Sequence, residues 1–395
     1  MHMQFSEDSQ HNFFFSQPHQ PFFVLAFVNA IVIMIIFFLS YNGVINLPVS
    51  ATGFHVYGLT YLMFTPAFLA FLFTTFPRFT STPALGKTLY IRVFSFFYLG
   101  SIIFLLGSIV SPVFSGIGMF ILFIGHFMGV WILRKIYKTT TMEDKQDIFW
   151  ILLSMQFGLL AHFLFHISAF FYKPLMGLST EISVYLYLFL LTFSVAQRMV
   201  PFFSHSMVEK NTKLLPIVFS LLVFHILLEG TLSNSSFIVD LILAYIIGKE
   251  LYRWKLQFPN PNPLLWILHT ALYWVPVGFF LGAVANLITL LSGTYFLALD
   301  THVILIGFVL TILIGFGTRV TLGHSGNTMQ ADKGTTLLFY WTQVVVVLRV
   351  LVSFAAALGF DMMFLFNLSA IAWIVMFVFW AVKFFAVLIK GKKLT

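Results

Sequence analysis

Histidine is the residue type in this sequence with the greatest capacity for chemistry. The chain has 12 histidines and no cysteine, which excludes thiolate metal sites, cysteine-ligated iron–sulfur clusters and covalently attached haem. Neutral imidazole is the remaining ligand that suits both haem iron and copper. Most of the histidines lie in or beside long apolar segments: His55, His126, His162, His166, His205, His225, His269, His302 and His324.

Arginine is the second informative residue type. Arg349 lies inside the apolar segment TQVVVVLRVLVSF, where a charge needs a partner or a function. It either pairs with a carboxylate such as Asp361 or clamps an anionic group such as a haem propionate, for which a guanidinium fork is well suited. Arg198 and Arg319 lie at the ends of apolar segments, where they serve as topology anchors or as anion ligands.

The elements that must position these side chains are membrane helices. Hydrophobic residues make up 60% of the chain, charged residues 9%, and the mean hydropathy is +0.97, whereas a soluble domain is about a quarter charged. We therefore predict an all-α, polytopic transmembrane bundle, with a polar tail over 1–20 and one helical domain over 21–390. The predicted spans cover residues 21–40, 55–77, 89–110, 112–133, 147–172, 180–200, 213–231, 235–254, 263–290, 297–319, 336–358 and 363–388.

The basic residues predict the orientation of the bundle. They follow the even-numbered spans, and the opposite side holds almost none except Lys173. By the positive-inside rule both termini are cytoplasmic. The net charge of +8 is spread over these separate loops and does not indicate nucleic-acid binding. The basic residues after even-numbered spans are Arg78, Lys87, Arg92, Arg134, Lys135, Lys138, Lys145, Arg198, Lys210, Lys213, Lys249, Arg253, Lys255, Arg319, Lys333, Lys390, Lys392 and Lys393.

This topology sorts the histidines by depth. His162 and His166 are four residues apart, so they share one helix face. Together they could bind one metal, or one of them could bind it while the other makes a supporting hydrogen bond. A single membrane histidine more commonly makes an interhelical hydrogen bond. Carboxylates inside the spans are few, which argues against a proton relay. We predict an outer cluster of His55, His162, His166, His225 and His302, and an inner one of His126, His269 and His324.

Several motifs resemble those of the NnrS family of bacterial membrane proteins. The strongest stretch runs from Thr301 to Gly326, a His-led span that ends in RVTLGHSG. The family has a similar span with an Arg-Val-(Thr/Ser)-Leu-Gly-His-(Thr/Ser)-Gly ending. A second stretch, from Leu265 to Gly278, is similar to a family span with a Trp, a His and a Tyr-x-Trp pair, and here Leu272 stands in place of the Tyr.

Two shorter motifs extend the resemblance across most of the chain. Arg198 begins RMVPFFS, which is similar to a family motif at the end of a span. The family often opens its second span with Trp-His-x-His-Glu. Here only the first His survives, as His55, and Tyr57 replaces the second. Any role of the second His or the Glu is therefore changed in this chain.

The resemblance implies a twelve-span protein of the bacterial cytoplasmic membrane that binds b-type haem, with or without copper, and helps the cell withstand nitric oxide. We expect His55 and His302 to be an axial haem pair, because spans two and ten also supply haem ligands in haem–copper oxidases, a fold-level analogy. Nitric oxide or a related small ligand and membrane lipids are the expected partners. Second-rank ligands are His162, His166, His225, His269 and His324, and the propionate candidates are Arg349, Arg319 and Arg198.

Two other functions stay open at this point. A secondary transporter would explain twelve spans without any cofactor. A nitric oxide reductase-like redox enzyme is disfavoured, because the sequence has no adjacent His-His pair of the kind that oxidases use for copper.

Overall fold

The long helices of the chain confirm an all-α membrane bundle. The computed structural model describes residues 12–394. Within that range there are twelve long helices, of which eleven have the length and apolar composition to cross a membrane, and α8 is the twelfth, with 17 residues. They are α1 His19–Tyr41, α2 Ala51–Phe79, α3 Lys87–Val110, α4 Pro112–Thr139, α5 Gln146–Phe170, α6 Leu175–Phe203, α7 Leu214–Thr231, α8 Phe237–Arg253, α9 Pro263–Ser292, α10 Leu299–His324, α11 Lys333–Ala357 and α12 Met363–Lys390.

The break between α3 and α4 shows how local chemistry sets the helix ends. Ser111 is extended, with φ −163° and ψ 135°, and its hydroxyl accepts a hydrogen bond from the Val113 amide at 3.3 Å. Pro112 then occupies the first helical position, where its missing N–H costs nothing. The predicted separation into two spans is therefore confirmed.

Residues 12–18 precede α1, and polar groups among them contact the start of that helix. Residues 1–11, with His2 and His11, belong to the predicted polar tail and lie outside the described residues. Gln20 Oε1 accepts hydrogen bonds from the Ser16 hydroxyl at 2.9 Å and the Gln17 amide at 2.8 Å. These bonds satisfy polar groups at the helix start, and the side chains of Ser16, Gln17, His19 and Gln20 are buried.

The contacts of the chain group into two compact units. Unit 1 comprises residues up to Met176, Gly317–Met329 and the chain from Trp373, and unit 2 comprises Gly177–Phe316 and Gln330–Ala372. Unit 1 thus holds α1–α5, the end of α10 and most of α12. Unit 2 holds nearly all of α6, all of α7–α9 and α11, and the first part of α10. The single domain over 21–390 stays a prediction.

Helices α2, α6 and α10 differ from the others in burial and in geometry. Within one apolar 18-residue stretch of each helix, 89%, 83% and 83% of the residues are buried inside the protein. Each contains a π-helical segment, at Gly58–Phe64, Ile182–Phe189 and Val303–Leu310. Such wide turns are rare in proteins overall, and those that occur are frequently found at functional sites. These three helices also carry His55, Arg198, His302 and Arg319.

Glycines in unit 1 bring α3 and α4 into backbone contact. A Cβ atom on Gly118 would lie 2.4 Å from the Phe104 amide nitrogen, and one on Gly107 would lie 2.3 Å from the Ser115 amide nitrogen. Small residues allow this close approach, which drives helix association where lipid removes the hydrophobic effect.

The variant Gly118→Ala tests this contact. We expect it to lower the free energy of unfolding by about 1–3 kcal/mol, because the methyl group must push two backbones apart. Thermal unfolding in detergent measures the effect. The control is Gly230→Ala in α7, where nothing lies within 4 Å of the new methyl group. Equal shifts in the two variants would contradict the contact.

Candidate functional site

A buried chain of hydrogen-bonding side chains lies inside unit 1. The imidazole of His162 is fully buried. Its Nε2 lies 2.7 Å from the Tyr57 hydroxyl and its Nδ1 lies 3.2 Å from His126 Nδ1. Both ring nitrogens of His162 are therefore engaged within the protein. Tyr61 stacks on the same ring, with centroids 3.8 Å apart and 14° between the planes.

The position of His126 corrects the predicted inner cluster. His126 contacts His162, which was assigned to the outer cluster. The physical reason is the length of α4, which continues to Thr139, well beyond its predicted end at residue 133. His126 therefore lies near the middle of α4, where its ring contacts that of His162 on α5.

His166 presents a different arrangement from His162. Its Nδ1 lies 2.9 Å from the backbone oxygen of His162, one turn earlier on α5. Among the described residues its buried Nε2 has no hydrogen-bond partner. A histidine whose Nδ1–H is held by a carbonyl offers a bare Nε2, which is the usual state of a metal ligand. The two histidines share a helix face as predicted, through a side chain–backbone contact.

A second cluster of polar side chains in unit 1 surrounds the end of α10. His324 is the last residue of that helix, not a loop residue as its predicted position implied. Its Nδ1 lies 2.7 Å from Gln17 Oε1 and its Nε2 lies 3.3 Å from Arg78 Nη1. The ring of His19 lies 5.0 Å from that of His324. His19 was assigned to the tail, and only the tertiary fold brings it here.

The remaining candidates of unit 1 lie near helix ends. His55 is half-buried near the start of α2, and its ring stacks on Phe37 with centroids 4.3 Å apart. Arg319 is half-buried in the last part of α10. In unit 2, Arg198 is half-buried near the end of α6. Their depths in the membrane stay predictions.

In unit 2, Arg349 holds the loop that leads into His302. Its Nη2 donates to the Leu297 oxygen at 2.8 Å and its Nη1 donates to the Ser353 hydroxyl at 2.7 Å. Leu297 and Ala298 have φ of 47° and 51°, a left-handed conformation that is uncommon outside glycine. The guanidinium thus stabilises a strained turn immediately before α10. Asp361, the predicted partner, instead accepts a hydrogen bond from the Met363 amide.

The same guanidinium lies against His302. His302 Nδ1 lies 2.8 Å from the Ala298 oxygen and 3.0 Å from Arg349 Nη2. Arginine only donates hydrogen bonds, so Nδ1 accepts from Arg349 in one tautomer and donates to Ala298 in the other. In either tautomer Nδ1 of His302 is engaged within the protein.

His225 is the centre of an acidic cluster in unit 2. Its Nδ1 lies 2.7 Å from Asp240 Oδ1, and Glu181 Oε2 lies 3.6 Å from its Nε2. The ring of Tyr185 lies 4.1 Å from the His225 ring, and its hydroxyl donates to Asp300 at 3.1 Å. The carboxylates, whose small number in the spans argued against a proton relay, are thus concentrated around this histidine. Three carboxylates from three helices converge, which a span-by-span count does not reveal.

His269 is held at both ring nitrogens. Its Nδ1 lies 2.9 Å from the Gln257 oxygen and its Nε2 lies 2.7 Å from the Ser204 hydroxyl. Trp274, from the same motif, donates to Gln343 at 2.8 Å. The motif residues therefore connect α9 to the ends of α6 and α8 and to α11. No group of three His or carboxylate side chains within residues 12–394 is arranged to hold a metal ion.

Twelve helices with buried, hydrogen-bonded histidines define a multi-pass α-helical membrane protein. The chain belongs to the NnrS family: the family described as NnrS protein matches residues 13–392. No curated protein matches the chain. The resemblance found in the motifs is thereby confirmed over almost the entire length.

Sequence reasoning missed three participants in these clusters: Tyr57, Glu181 and His19. Tyr57 had a signal, because it replaces the second His of the family motif and occupies a position next to His162. Glu181 also had one, as a carboxylate within the first residues of a predicted span. His19 had none, since its polar neighbours are typical of a tail.

The variant Tyr57→Phe tests the hydrogen bond to His162. We expect the free energy of unfolding to fall by about 1–3 kcal/mol, because a buried imidazole nitrogen loses its partner. Thermal unfolding in detergent is the measurement. The control is Tyr98→Phe on α3, whose ring is 48% exposed. A loss no larger than that of the control would show that the bond contributes nothing.

Proposed function

We propose that this NnrS-family protein binds b-type haem, with or without copper, and acts in resistance to nitric oxide and nitrosative stress. The observation that carries the proposal is the family match over residues 13–392. Haem iron, when bound, supplies a site for nitric oxide. The histidines could supply the iron ligands in a chain that has no cysteine.

The hydrogen bonds of the histidines rank them as ligands. A metal-binding imidazole usually has one nitrogen held by a carbonyl or carboxylate and the other bare. His166 and His225 fit this pattern, and His302 has its Nδ1 engaged. His162, His269 and His324 use both nitrogens within the protein, so they are better suited to orient neighbouring groups.

The proposed axial pair remains His55 with His302. The two residues belong to different units, and their pairing is a prediction of the sequence. Arg349 is proposed as a propionate ligand with Arg319 and Arg198. Its guanidinium already lies 3.0 Å from the His302 ring, so a propionate bound there would neutralise a charge beside the iron ligand.

The setting of the function is also a proposal. The basic loops favour a bacterial cytoplasmic membrane with both termini on the cytoplasmic side. The partners are nitric oxide or a related small ligand and membrane lipids, without nucleic acid. A secondary transporter is the second candidate, and the acidic cluster around His225 favours it more than the sequence did, because intramembrane ionisable groups mark ion pathways.

An optical spectrum of the detergent-purified protein tests the proposal. The oxidised and dithionite-reduced forms are recorded, and nitric oxide is then added. We expect a Soret band that shifts on reduction and again with nitric oxide. A featureless spectrum from folded, haem-supplemented protein would remove haem and place the transporter first.

The variant His302→Ala should lose bound haem while expression is retained, because a haem ligand is deleted. The pyridine haemochrome content per protein is the measurement. His205→Ala, at an exposed residue of the loop after α6, is the matched control. Full haem retention in His302→Ala would remove His302 from the ligands.

The variant Arg349→Met separates a propionate role from a purely structural one. Loss of one charge-assisted hydrogen bond, worth about 1.5 kcal/mol or more, should speed haem loss to apomyoglobin roughly tenfold. The haem-free variant should unfold earlier than the haem-free unsubstituted protein on either hypothesis, because Arg349 donates to the Leu297 oxygen and the Ser353 hydroxyl, so the rate of haem loss is the measurement that discriminates. If Arg349 only holds the Leu297 turn, both forms of the variant unfold earlier and the relative rate of haem loss is unchanged.

A further inference from the structure

Two polar atoms in unit 2 face each other at a distance that no hydrogen bond explains. His225 Nε2 and Glu181 Oε2 are 3.6 Å apart. Both atoms are buried, and neither has a hydrogen-bond partner among the described residues. The His225 side chain is 1% exposed. Burying a polar group without a partner is unfavourable, so this arrangement calls for a ligand.

The opposite nitrogen of the ring fixes which atoms face each other. Asp240 Oδ1 lies 2.7 Å from His225 Nδ1, and Asp240 Oδ2 accepts from the Ser236 hydroxyl at 2.9 Å. A carboxylate that receives two donors is an acceptor, so Nδ1 carries the proton. In the neutral ring Nε2 then carries no proton, and its lone pair faces the Glu181 carboxylate oxygen. Two acceptors repel unless a cation lies between them.

The cation between the two atoms could be a proton or a metal ion, and the distance between His225 Nε2 and Glu181 Oε2 distinguishes them. A charge-assisted N–H···O contact is about 2.7–2.9 Å long, shorter than the observed 3.6 Å. A metal bonded to nitrogen and oxygen at about 2.0–2.2 Å, with an angle of about 110–120°, separates the two ligand atoms by about 3.3–3.6 Å. The observed gap fits the metal.

The surroundings of His225 are those of a metal ligand. A carboxylate that holds the far nitrogen of a ligating histidine fixes its tautomer and raises its basicity, and Asp240 is 2% exposed in that position. Asn286 donates to the Ser236 hydroxyl at 3.0 Å, which extends the supporting network. Asp300, bonded to Tyr185, adds negative charge at the same end of the unit.

We propose that His225 Nε2 and Glu181 Oε2 bind a divalent transition-metal ion, with Asp240 as the residue that orients the imidazole. One nitrogen and one carboxylate oxygen suit Zn²⁺ or Cu²⁺ better than Mg²⁺ or Ca²⁺. Two protein ligands leave positions open to water or a small anion. Glu181 keeps 30% of its side chain exposed, which provides an entry path.

The site does not depend on haem binding by the protein. Its two ligands come from α6 and α7, and Asp240 comes from α8, all within unit 2. A protein that bound no haem would keep this site, and a protein that bound haem elsewhere could lack it. The two proposals therefore fail separately.

Zinc titration of the metal-free, detergent-purified full-length protein tests the site. Isothermal titration calorimetry should show that His225→Ala binds one equivalent of zinc fewer than the unsubstituted protein. Glu181→Gln, which keeps the shape of the side chain, should bind that equivalent at least tenfold more weakly, and Asp240→Asn should weaken it about 10–100-fold. The control is Glu250→Gln, a buried carboxylate near the other end of α8 that pairs with Arg253, and it should bind as the unsubstituted protein does.

Electron paramagnetic resonance with Cu²⁺ identifies the ligands. The signal lost in His225→Ala should show coupling to a single nitrogen, because only one imidazole contributes. Coupling to two or more nitrogens would assign the lost signal to another histidine cluster. Unchanged zinc stoichiometry in both His225→Ala and Glu181→Gln would overturn the proposal, as would loss of haem without loss of zinc in His225→Ala.

Discussion

The constraint on which this structure depends is the need to satisfy every imidazole nitrogen without help from water. In the hydrocarbon core an unpaired polar group costs several kcal/mol. The chain meets this constraint for most of these nitrogens, though not all of them, by pairing histidines with tyrosine, serine, backbone carbonyls or carboxylates. The pairing differs from one histidine to the next, and it divides the histidines into those with both nitrogens engaged and those with one nitrogen left to bind a ligand.

Each unit meets the constraint with different chemistry. The His162 network of unit 1 has neutral partners: Tyr57 and His126 hold the ring, and Tyr61 stacks on it. Unit 2 uses charge: Asp240 and Glu181 flank His225, and Arg349 lies beside His302. Neutral networks are less costly to bury than charged ones. The charged network of unit 2 is therefore the stronger indication of function, because ionisable groups inside a membrane protein are costly to bury.

The helices that carry most of this chemistry have a common form. α2, α6 and α10 are the most buried helices, and each has a π-helical segment. A wide turn shifts the side chains that follow it around the helix axis, so residues at regular sequence spacing do not point in regular directions. Tyr57 and His302 each directly precede such a segment. Helical periodicity alone therefore does not give their orientations relative to residues beyond the segment, such as Arg319 on α10.

The sequence by itself determined the class of protein, the number of helices and nearly all of their ends, because hydropathy, proline and glycine act locally. It also determined the family, through motifs that extend along the chain. The tertiary structure decided which polar groups meet. His126 lies beside His162 because α4 packs on α5, His19 reaches His324 across more than 300 residues of chain, and Glu181 meets His225 from a different helix. Contacts of this kind depend on helix packing and rotation, which glycine contacts such as that of Gly118 set, and a single chain's residue pattern does not encode them locally.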